Sequence, residues 1–557
     1  MENTTTHKVS TYLIIHPDDN VLVALKDLKA GTLIQHNNDK FMLATDVKAK
    51  HKFTLQNIDL NGAITMYGVV VGVALEPLAK GTAITLQNIK HASEDFSLGQ
   101  RKLNWVKPDI TKWQNKTFNG YHRADGSVGT ANYWLVIPLV FCENRNVMVL
   151  KDALLDKLGY KKPDLYEKNV DDLVALYKAG KPIDDILNAD LQIAPDQNAG
   201  TKLFSNLDGI KFLTHDLGCG GTRTDSDALC GLLAGYITHP NVAGATILSL
   251  GCQHAQASIL VDQINKRDTG FNKPLIILEQ QKEGTESQLM QKALKQTFAA
   301  LIEVNKIERQ PAPLSKLCIG LECGGSDGFS GISANPAIGL VADIIVALGG
   351  SVILAEFPEL CGVEQELSDR CIDEPTALKF NDLMRVYNQR AEETGSGFYA
   401  NPSPGNIRDG LITDAIKSAG AAKKAGSSPV VAVLDYPEKV TTPGLTLLCT
   451  PGNDVESTTA EVAAGANVVL FTTGLGTPTG NPVAPVVKLA TNTPLAKRMP
   501  DIIDIDCGNI IEGTETLAQV ADRILEHTIA VASGQIIPKA VTLGQDDFIP
   551  WKRGVSL

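Results

Sequence analysis

The sequence predicts an α/β protein in which a small N-terminal all-β module precedes a two-part α/β body with largely parallel sheets. Short apolar runs, separated by clusters of glycine, asparagine and aspartate, fill the first part of the chain. From about Gly120 onward, apolar runs of strand length alternate with helix-length stretches, a pattern typical of parallel sheets. The 557 residues include 48 glycines and 27 prolines, which favours many strand-to-helix junctions over a helical bundle.

The all-β module is predicted over residues 1–95. Its strands are expected at residues 11–15, 21–24, 53–55, 64–67 and 69–73. Residues 96–119 are polar and irregular, and we interpret them as a linker that packs on a neighbouring domain through Trp105 and Trp113.

The α/β body is predicted in two parts, over residues 120–305 and 306–557. Its strands are expected at residues 134–140, 246–250, 275–278, 352–355, 430–434 and 468–471, and one helix at 286–305. Pro311 and Pro313 indicate the boundary between the two parts, because proline interrupts regular elements.

Composition and charge exclude several classes of protein. Acidic residues outnumber basic ones by 63 to 51, which gives a net charge of −12 and argues against a nucleic-acid partner. No apolar run is long enough to cross a bilayer, and the polar N-terminus lacks the apolar core of a signal peptide. We therefore expect a cytoplasmic protein with reduced cysteines, no membrane association and a small-molecule ligand. The sequence leaves the oligomeric state open, a homo-oligomer included.

Glycine-rich loops follow several of the predicted strands. They occupy residues 214–221, 250–254, 321–336, 401–406, 451–454 and 472–478. Ligands of open α/β sheets bind outside the carboxyl ends of the strands, where glycine allows close approach of the backbone. We therefore predict that residues 215–221, 251–254, 323–327 and 472–478 converge on one active site.

Three of these loops carry a cysteine next to a glycine, at Cys219, Cys252 and Cys323, and Cys142 follows another predicted strand. Thiolates bind soft and borderline metals, so these side chains could converge on one ion or cluster. Structural cysteines, partly buried, are the alternative. No P-loop, His-Glu-x-x-His or Gly-x-Ser-x-Gly motif is present, which removes the commonest NTPase, zinc-peptidase and hydrolase assignments.

Longer motifs resemble the altronate/galactarate dehydratase family. They are RADGSVG at 123–129, LECGGSDGFSGISANP at 321–336, NPSPGN at 401–406, PGND at 451–454 and KLATN at 488–492. The N-terminal module is similar to the SAF-type β-clip domain of that family. Within the family, the sequence is more similar to the altronate members. It departs from the family pattern at Leu475, where arginine is expected, and at Gln253, where glutamate is expected.

The resemblance implies an iron-requiring dehydration of a sugar acid, with D-altronate as the expected substrate, to a 2-keto-3-deoxy acid. Galactarate dehydration and sulfite elimination from sulfolactate are alternatives with the same fold. A sugar-acid binding protein without catalytic activity is another alternative. Leu475 leaves the substrate open, because an arginine there could bind a carboxylate with two hydrogen bonds and leucine cannot.

Removal of the weakly acidic proton beside a carboxylate requires a base, an acid for the leaving hydroxyl and stabilisation of the enediolate. The candidate catalytic residues are His16, His51, Lys52, His215 and Asp327. The candidate substrate-binding residues are Arg123, Ser326, Asn406, Asn453, Thr473, Thr477 and Lys488. The candidate iron ligands are Cys219, Cys252 and Cys323, with Cys142 as a fourth, around ferrous iron or an iron–sulfur cluster. Histidine ligation of a single ferrous ion is the alternative, and any of the histidines or cations could instead be an ordinary surface side chain.

Overall fold

The structure is a computed structural model that describes residues 11–93, 96–99, 103–162, 166–191 and 201–556. It confirms the predicted fold class, with a strand-rich N-terminal region followed by α/β layers. The largest sheet has seven parallel strands and lies in the C-terminal part of the body.

The N-terminal module consists of short antiparallel strands that form the sheets β1-β2-β5, β3-β4 and β6-β7-β8. The strands are β1 Tyr12–Leu13, β2 Val21–Ala24, β3 Leu33–His36, β4 Asp39–Met42, β5 Lys52–Thr54, β6 Ala63–Met66, β7 Val69–Ala74 and β8 Ile89–Lys90. The β3-β4 hairpin is absent from the sequence-based prediction, because its side chains are mostly exposed and do not form an apolar run.

The first part of the body is a four-stranded parallel sheet of order β12-β11-β13-β14, flanked by helices. Its four strands are β11 Tyr133–Pro138, β12 Gly209–Phe212, β13 Val242–Ser249 and β14 Leu275–Glu279. Strands β9 Thr117–His122 and β10 Val128–Gly129 precede them and pair antiparallel in a separate sheet. The helices of this part are α1 Asn144–Leu155, α2 Glu167–Lys178, α3 Ile183–Leu187, α4 Arg223–Thr238, α5 Ala257–Arg267, α6 Gln280–Glu283 and α7 Glu286–Val304. Helix α7 agrees closely with the helix predicted at 286–305, and the Thr285 capping box fixes its start.

The second part of the body is the seven-stranded parallel sheet, of order β18-β19-β17-β16-β20-β21-β22. Its strands, with β15 before them, are β15 Gln310–Pro313, β16 Cys318–Cys323, β17 Ser351–Leu354, β18 Val430–Leu434, β19 Gly444–Leu448, β20 Val468–Thr473, β21 Val486–Ala490 and β22 Ile505–Asp506. Its helices are α8 Ala334–Ala347, α9 Glu364–Asp369, α10 Glu374–Glu393, α11 Pro404–Arg408, α12 Asp414–Ala422, α13 Asp454–Ala464, α14 Thr493–Arg498, α15 Asn509–Glu512, α16 Leu517–Ala532 and α17 Lys539–Leu543.

Strand β15 pairs antiparallel with β9, so the two ends of the first part of the body lie side by side. Helix α4 packs on α13, where Gly235 directly adjoins Ala463, and this contact joins the two parts. Trp113, in the predicted linker, is buried against the larger core. Within the described residues, none of the helices is both long and apolar enough to span a membrane.

The N-terminal module docks on the seven-stranded part through side chains that reach across the interface. Lys52 donates to Gly410 O at 2.6 Å, and Thr413 Oγ1 donates to Val71 O at 2.9 Å. Tyr67 lies against Gly331, where a Cβ atom would overlap its hydroxyl group. One buried apolar core therefore runs from the module into the body.

We expect the Gly331→Ala substitution to destabilise the protein by about 1–3 kcal/mol, because an added methyl group overpacks the contact with Tyr67. The measurement is the free energy of unfolding from urea denaturation. Gly270→Ala is the matched control, since the nearest atom to its added Cβ is 3.7 Å away. Equal unfolding free energies of the two variants would contradict a tight docking contact.

Candidate active site

Polar side chains gather at the carboxyl ends of the central strands of the seven-stranded sheet. Cys323 ends β16, Glu356 follows β17, and Thr473 ends β20. The loop after β19 leads to Asp454, the first residue of α13. This edge is where open α/β sheets bind ligands, and it includes two of the four glycine-rich loops that were predicted to converge.

The two loops, 323–327 and 472–478, are in direct contact. Gly474 N and Leu475 N both donate to Gly325 O at 3.0 Å. Thr473 Oγ1 accepts hydrogen bonds from Gly476 N at 3.0 Å and from Thr477 N at 3.2 Å, which closes the second loop. The other two predicted loops, 215–221 and 251–254, belong to the four-stranded sheet, so the four loops do not share one sheet edge.

Asp327 is a buried carboxylate at the centre of this edge. Lys50 Nζ from the N-terminal module lies 3.0 Å from its Oδ2 atom. Thr491 Oγ1 donates to Oδ1 at 2.9 Å, and Asn492 Nδ2 donates to Oδ2 at 3.2 Å. The predicted catalytic residue Asp327 is therefore held in place by the module and by the segment after β21.

Cys323 lies between two buried ion pairs. Lys424 Nζ is 2.6 Å from Glu356 Oε2 and 2.9 Å from Cys323 Sγ. Lys417 Nζ is 2.5 Å from Glu359 Oε1. Burial opposes ionisation of Glu356, but the Lys424 ammonium outweighs it, so the pKa of Glu356 is lowered. Burial raises the pKa of the Cys323 thiol, which keeps this side chain neutral.

Two further carboxyl groups at this edge hold their protons. Burial raises the pKa of Glu322, and the neighbouring charge of Glu356 raises it further. Oxygen atoms of these two carboxyl groups lie within 4.8 Å of each other, and two buried carboxylates that close do not both ionise. Burial also raises the pKa of Glu461 to about 8. The charges of the cluster are therefore largely neutralised internally.

Lys488 and Asp454 influence each other through their charges and, unlike the pairs above, make no ion pair within 4 Å. Burial lowers the pKa of Lys488 to about 7 and raises the pKa of Asp454 to about 7. Lys488 Nζ lies 3.2 Å from the centroid of the Phe471 ring, on the adjacent strand. In the described part of the chain it has no hydrogen-bond partner. A Cβ atom at Gly324 would overlap the Asp454 carboxylate, so the glycine gives that group its space.

Backbone strain also marks this edge. Glu356 adopts φ of 62° and Lys50 adopts φ of 74°, in the left-handed region that residues with a Cβ atom rarely occupy. Such conformations persist only where the surrounding structure enforces them, and they concentrate at functional sites.

Other candidate substrate-binding residues make hydrogen bonds or close contacts to the backbone of the glycine-rich loops and of helix starts. Asn406 Nδ2 donates to Ser326 O at 2.7 Å, and Asn406 Oδ1 completes the capping box of α11. Asn453 is exposed and caps α13, with Oδ1 accepting from Val455 N at 3.2 Å. Thr477 lies beside Gly325, with its hydroxyl 3.0 Å from the position of a Cβ there.

Of the candidate catalytic residues in the N-terminal module, Lys52 and His51 contact the body, whereas His16 hydrogen-bonds within the module. Lys52 is buried, and burial lowers its pKa to about 7. His51 Nε2 lies 3.2 Å from Arg408 O, and burial lowers its pKa. His16 remains within the module, where its Nδ1 atom accepts from Asp18 N at 3.3 Å.

His215 and Arg123 belong to the four-stranded part. Leu217 N donates to His215 Nδ1 at 3.2 Å, and His215 Nε2 is 2.8 Å from Pro138 O, so both ring nitrogens are engaged by backbone. Burial lowers the pKa of His215 to about 4, which keeps the ring neutral.

Arg123, a candidate for binding the substrate carboxylate, is engaged by groups of the four-stranded part. Its guanidinium donates to Pro240 O at 2.7 Å and to Asn132 Oδ1 at 2.9 Å. Asn132 directly precedes β11 and Pro240 lies two residues before β13, so Arg123 lies at the amino edge of that sheet.

The predicted thiolate ligands Cys219, Cys252 and Cys323 follow strands of two different sheets. Cys323 is buried in the seven-stranded part, whereas Cys142, Cys219 and Cys252 are exposed on the four-stranded part. Sequence alone does not reveal which strand ends share a sheet. The pairing of strands places Cys323 at one sheet and the other three cysteines at another.

Carboxylates at the seven-stranded edge fit a divalent ion poorly. Among the described residues, Cys323, Glu356 and Glu359 have donor atoms within 4.8 Å of one another, as do Glu322, Glu356 and Asp454. Both groups share Glu356, which the Lys424 ammonium already neutralises at 2.6 Å. An added dication would lie beside buried ammonium groups, which is electrostatically unfavourable.

Sequence reasoning missed several residues of this edge. They are Glu356, Glu359, Lys417, Lys424 and Asp454. The available signal was their position directly after predicted strands or inside apolar helices, where a charged side chain is expected to be paired.

Comparison with known proteins agrees with this architecture. Three family models match: "Altronate/galactarate dehydratase SAF domain" at residues 10–92, "D-galactarate dehydratase/Altronate hydrolase, second domain" at 120–305, and "D-galactarate/Altronate dehydratase, C-terminal" at 314–556. Altronate dehydratase of Bacillus subtilis (strain 168) is 34% identical over 533 residues, covering 95% of this chain and 96% of the relative. Altronate dehydratase of Escherichia coli (strain K12) is 33% identical, with 94% and 95% covered. Galactarate dehydratase (L-threo-forming) of Escherichia coli (strain K12) is 30% identical, with 94% and 93% covered.

We expect Lys488→Met to stabilise the protein by an amount on the order of 1–3 kcal/mol at neutral pH, because it removes a buried amine that lacks a hydrogen bond. The lowered pKa of Lys488 makes this gain largest at pH 7 and below. The gain shrinks toward pH 10.5, where the unfolded lysine loses its own proton. Urea denaturation across this pH range measures it, with the exposed Lys497→Met as control. A gain that is constant from pH 7 to pH 10.5 would contradict the assigned titration.

Proposed function

The chain belongs to the altronate/galactarate dehydratase family of hydro-lyases, and on this basis we propose that it removes water from D-altronate to give 2-dehydro-3-deoxy-D-gluconate. The observation that carries the proposal is the pair of Lys488 and Asp454 at the carboxyl edge of the seven-stranded sheet. A base and an acid that both titrate near neutral pH are what an elimination of water requires.

In the proposed reaction, Lys488 in its neutral form takes the proton from C2 of the sugar acid. The electron pair forms the C2–C3 double bond as the C3–O bond breaks. Asp454 in its protonated form gives its proton to the departing hydroxyl group, which leaves as water. The resulting enol then tautomerises to the 2-keto-3-deoxy acid.

After one turnover, Lys488 carries an additional proton and Asp454 has lost one. The starting state returns when the Lys488 ammonium loses its proton and the Asp454 carboxylate gains one by exchange with water, and the two pKa values near 7 make both exchanges accessible at neutral pH. The neighbouring ion pairs keep their charges throughout, because Glu356 with its lowered pKa stays ionised beside Lys424. The buried surroundings strengthen the interactions of the charge that develops on the enediolate.

Several groups at the edge support recognition of a sugar acid. The hydroxyl of Thr477 faces Gly325, and Lys50 places positive charge beside Asp327. Arg498 Nη2 donates to Leu475 O at 3.3 Å, so a guanidinium lies at the loop in which the family resemblance leads us to expect arginine. This arrangement supports a carboxylate-bearing substrate despite the departure at Leu475.

Iron remains a proposed cofactor that rests on the family resemblance. When bound, iron would act as a Lewis acid toward an oxygen of the substrate. The carboxylates of the seven-stranded edge fit it poorly, so none of the steps assigned to Lys488 and Asp454 depends on it. The four-stranded sheet offers a different set of donors.

We expect Lys488→Met and Asp454→Asn each to lower kcat for D-altronate by about 10²–10⁴-fold, because each removes one partner of the proton transfer. The wild-type rate is expected to fall on both sides of neutral pH, since Lys488 must be neutral and Asp454 protonated. The measurement is formation of the 2-keto-3-deoxy acid under anaerobic conditions with added ferrous ion.

The exposed Lys497→Met is the control and should retain the wild-type rate. The same assay compares D-altronate with galactarate and (2R)-sulfolactate. Faster turnover of either alternative would replace the proposed substrate, and binding without turnover of any of the three would favour a binding protein. Wild-type kcat in both site variants would remove Lys488 and Asp454 from the mechanism.

A further inference from the structure

We propose that Cys142, Cys219 and Cys252 together hold an iron–sulfur cluster at the carboxyl edge of the four-stranded sheet. The inference concerns this chain's own thiols and does not depend on which sugar acid is the substrate. It replaces the ligand set expected from the sequence, because Cys323 lies in the other sheet.

The three thiols follow three adjacent parallel strands. The strand order is β12-β11-β13, and Cys142, Cys219 and Cys252 lie in the loops after β11, β12 and β13, respectively. Carboxyl ends of parallel strands meet at one edge, so the topology gathers three residues that are far apart in sequence.

Backbone hydrogen bonds connect the three loops close to the cysteines. Phe141 N donates to Leu217 O at 3.0 Å, which joins the first loop to the second. Ala255 N donates to Gly218 O at 3.1 Å, which joins the second loop to the third. Cys219 follows Gly218 directly, and Cys142 follows Phe141 directly, so the thiols lie within a residue or a few residues of these bonds.

The thiols are free and accessible. All three cysteines are exposed, in contrast to the buried Cys230, Cys323, Cys371, Cys449 and Cys507. Structural cysteines behave as small apolar side chains and are usually buried. Three exposed thiols at one sheet edge are not explained by packing, and a ligand role accounts for their position.

Glycines with positive φ angles lie beside Cys219 and Cys252. Gly218 has φ of +100°, Gly220 has φ of +65° and Gly251 has φ of +125°, so Cys219 is flanked on both sides and Cys252 on one. Backbone that alternates through the left-handed region directs successive N–H groups into a concave nest, a feature of many iron–sulfur sites. A cluster with three thiolate ligands carries the negative charge that such a nest stabilises.

The three sulfur atoms do not all lie within 4.8 Å of one another, a spacing that excludes one ion bound by all three and is compatible with a cluster. Ligands of one ion lie within about 4.6 Å of each other, twice a metal–sulfur bond of about 2.3 Å. Within the described ranges, every group of three donor atoms closer than 4.8 Å lies elsewhere in the molecule. Thiolates that bind different irons of one cluster are farther apart, and three of them leave one iron of a four-iron cluster without a protein ligand.

The test uses the full chain, purified anaerobically and reconstituted with ferrous ion and sulfide. It measures iron and acid-labile sulfide per chain, visible absorption and the electron paramagnetic resonance signal after reduction. We expect about four irons and about four sulfides per wild-type chain. Each of Cys142→Ser, Cys219→Ser and Cys252→Ser should lose most of both, and the triple variant should lose at least about ten-fold.

Cys318→Ser, at a partly buried cysteine outside the three loops, and Cys323→Ser are the controls and should keep the wild-type iron and sulfide content. Thermal unfolding of every variant checks that an exposed Cys→Ser change leaves the fold intact. Iron retained by the triple variant, iron without sulfide, no iron in the reconstituted wild type, or loss of iron in Cys323→Ser alone would each overturn the proposal. Cluster content is measured without substrate, so a fully loaded protein with no turnover of sugar acids would contradict the proposed function and leave this inference standing.

Discussion

The buried carboxylate of Asp327 is the interaction on which the arrangement of the catalytic edge depends. A charge removed from water requires partners, and those of Asp327 come from three separate segments: Lys50 of the N-terminal module, Ser330 of its own loop, and Thr491 with Asn492 after β21. No apolar contact could impose this geometry, because hydrogen bonds to a carboxylate are directional. The N-terminal module is consequently part of the wall of the site and is fixed there by charge as well as by its apolar core.

The buried lysines near Asp327 are of two kinds, those that contact a carboxylate and one that does not. Lys424 and Lys417 have carboxylate partners within 2.6 Å and 2.5 Å, so desolvation is offset by direct contact and their charges persist. Lys488 lies over an aromatic ring and, in the described residues, lacks a hydrogen-bonding partner. Desolvation therefore dominates, and the amine is charged or neutral depending on the pH near 7. The permanently charged pairs of Lys424 and Lys417 create the electrostatic field in which Lys488 gains or loses its proton.

Much of the framework follows from local sequence, since β18 at Val430–Leu434 and α7 at Glu286–Val304 are strong apolar patterns with clear boundaries. Pro311 and Pro313 predict a boundary, yet they lie in β15, because β15 is an edge strand that tolerates missing N–H donors. Sequence identifies the loops at 323–327 and 472–478 from their glycines. It could not show which cysteines share a sheet, nor that Lys417 and Lys424 are buried, because both depend on tertiary pairing.

Because β9 pairs with β15, the first and last residues of the segment 123–309 lie next to each other. The segment is therefore an insertion between two neighbouring strands. A segment that begins and ends at one place adds little loop-closure entropy to its host, and it can be replaced without moving the strands that flank it. The sheet that carries the exposed thiols is thus topologically a cassette, attached through one strand pair and seated by the contact of α4 with α13. Exchange of this cassette is constrained at its seat rather than at its ends, because its strands and helices share one apolar core with the larger sheet.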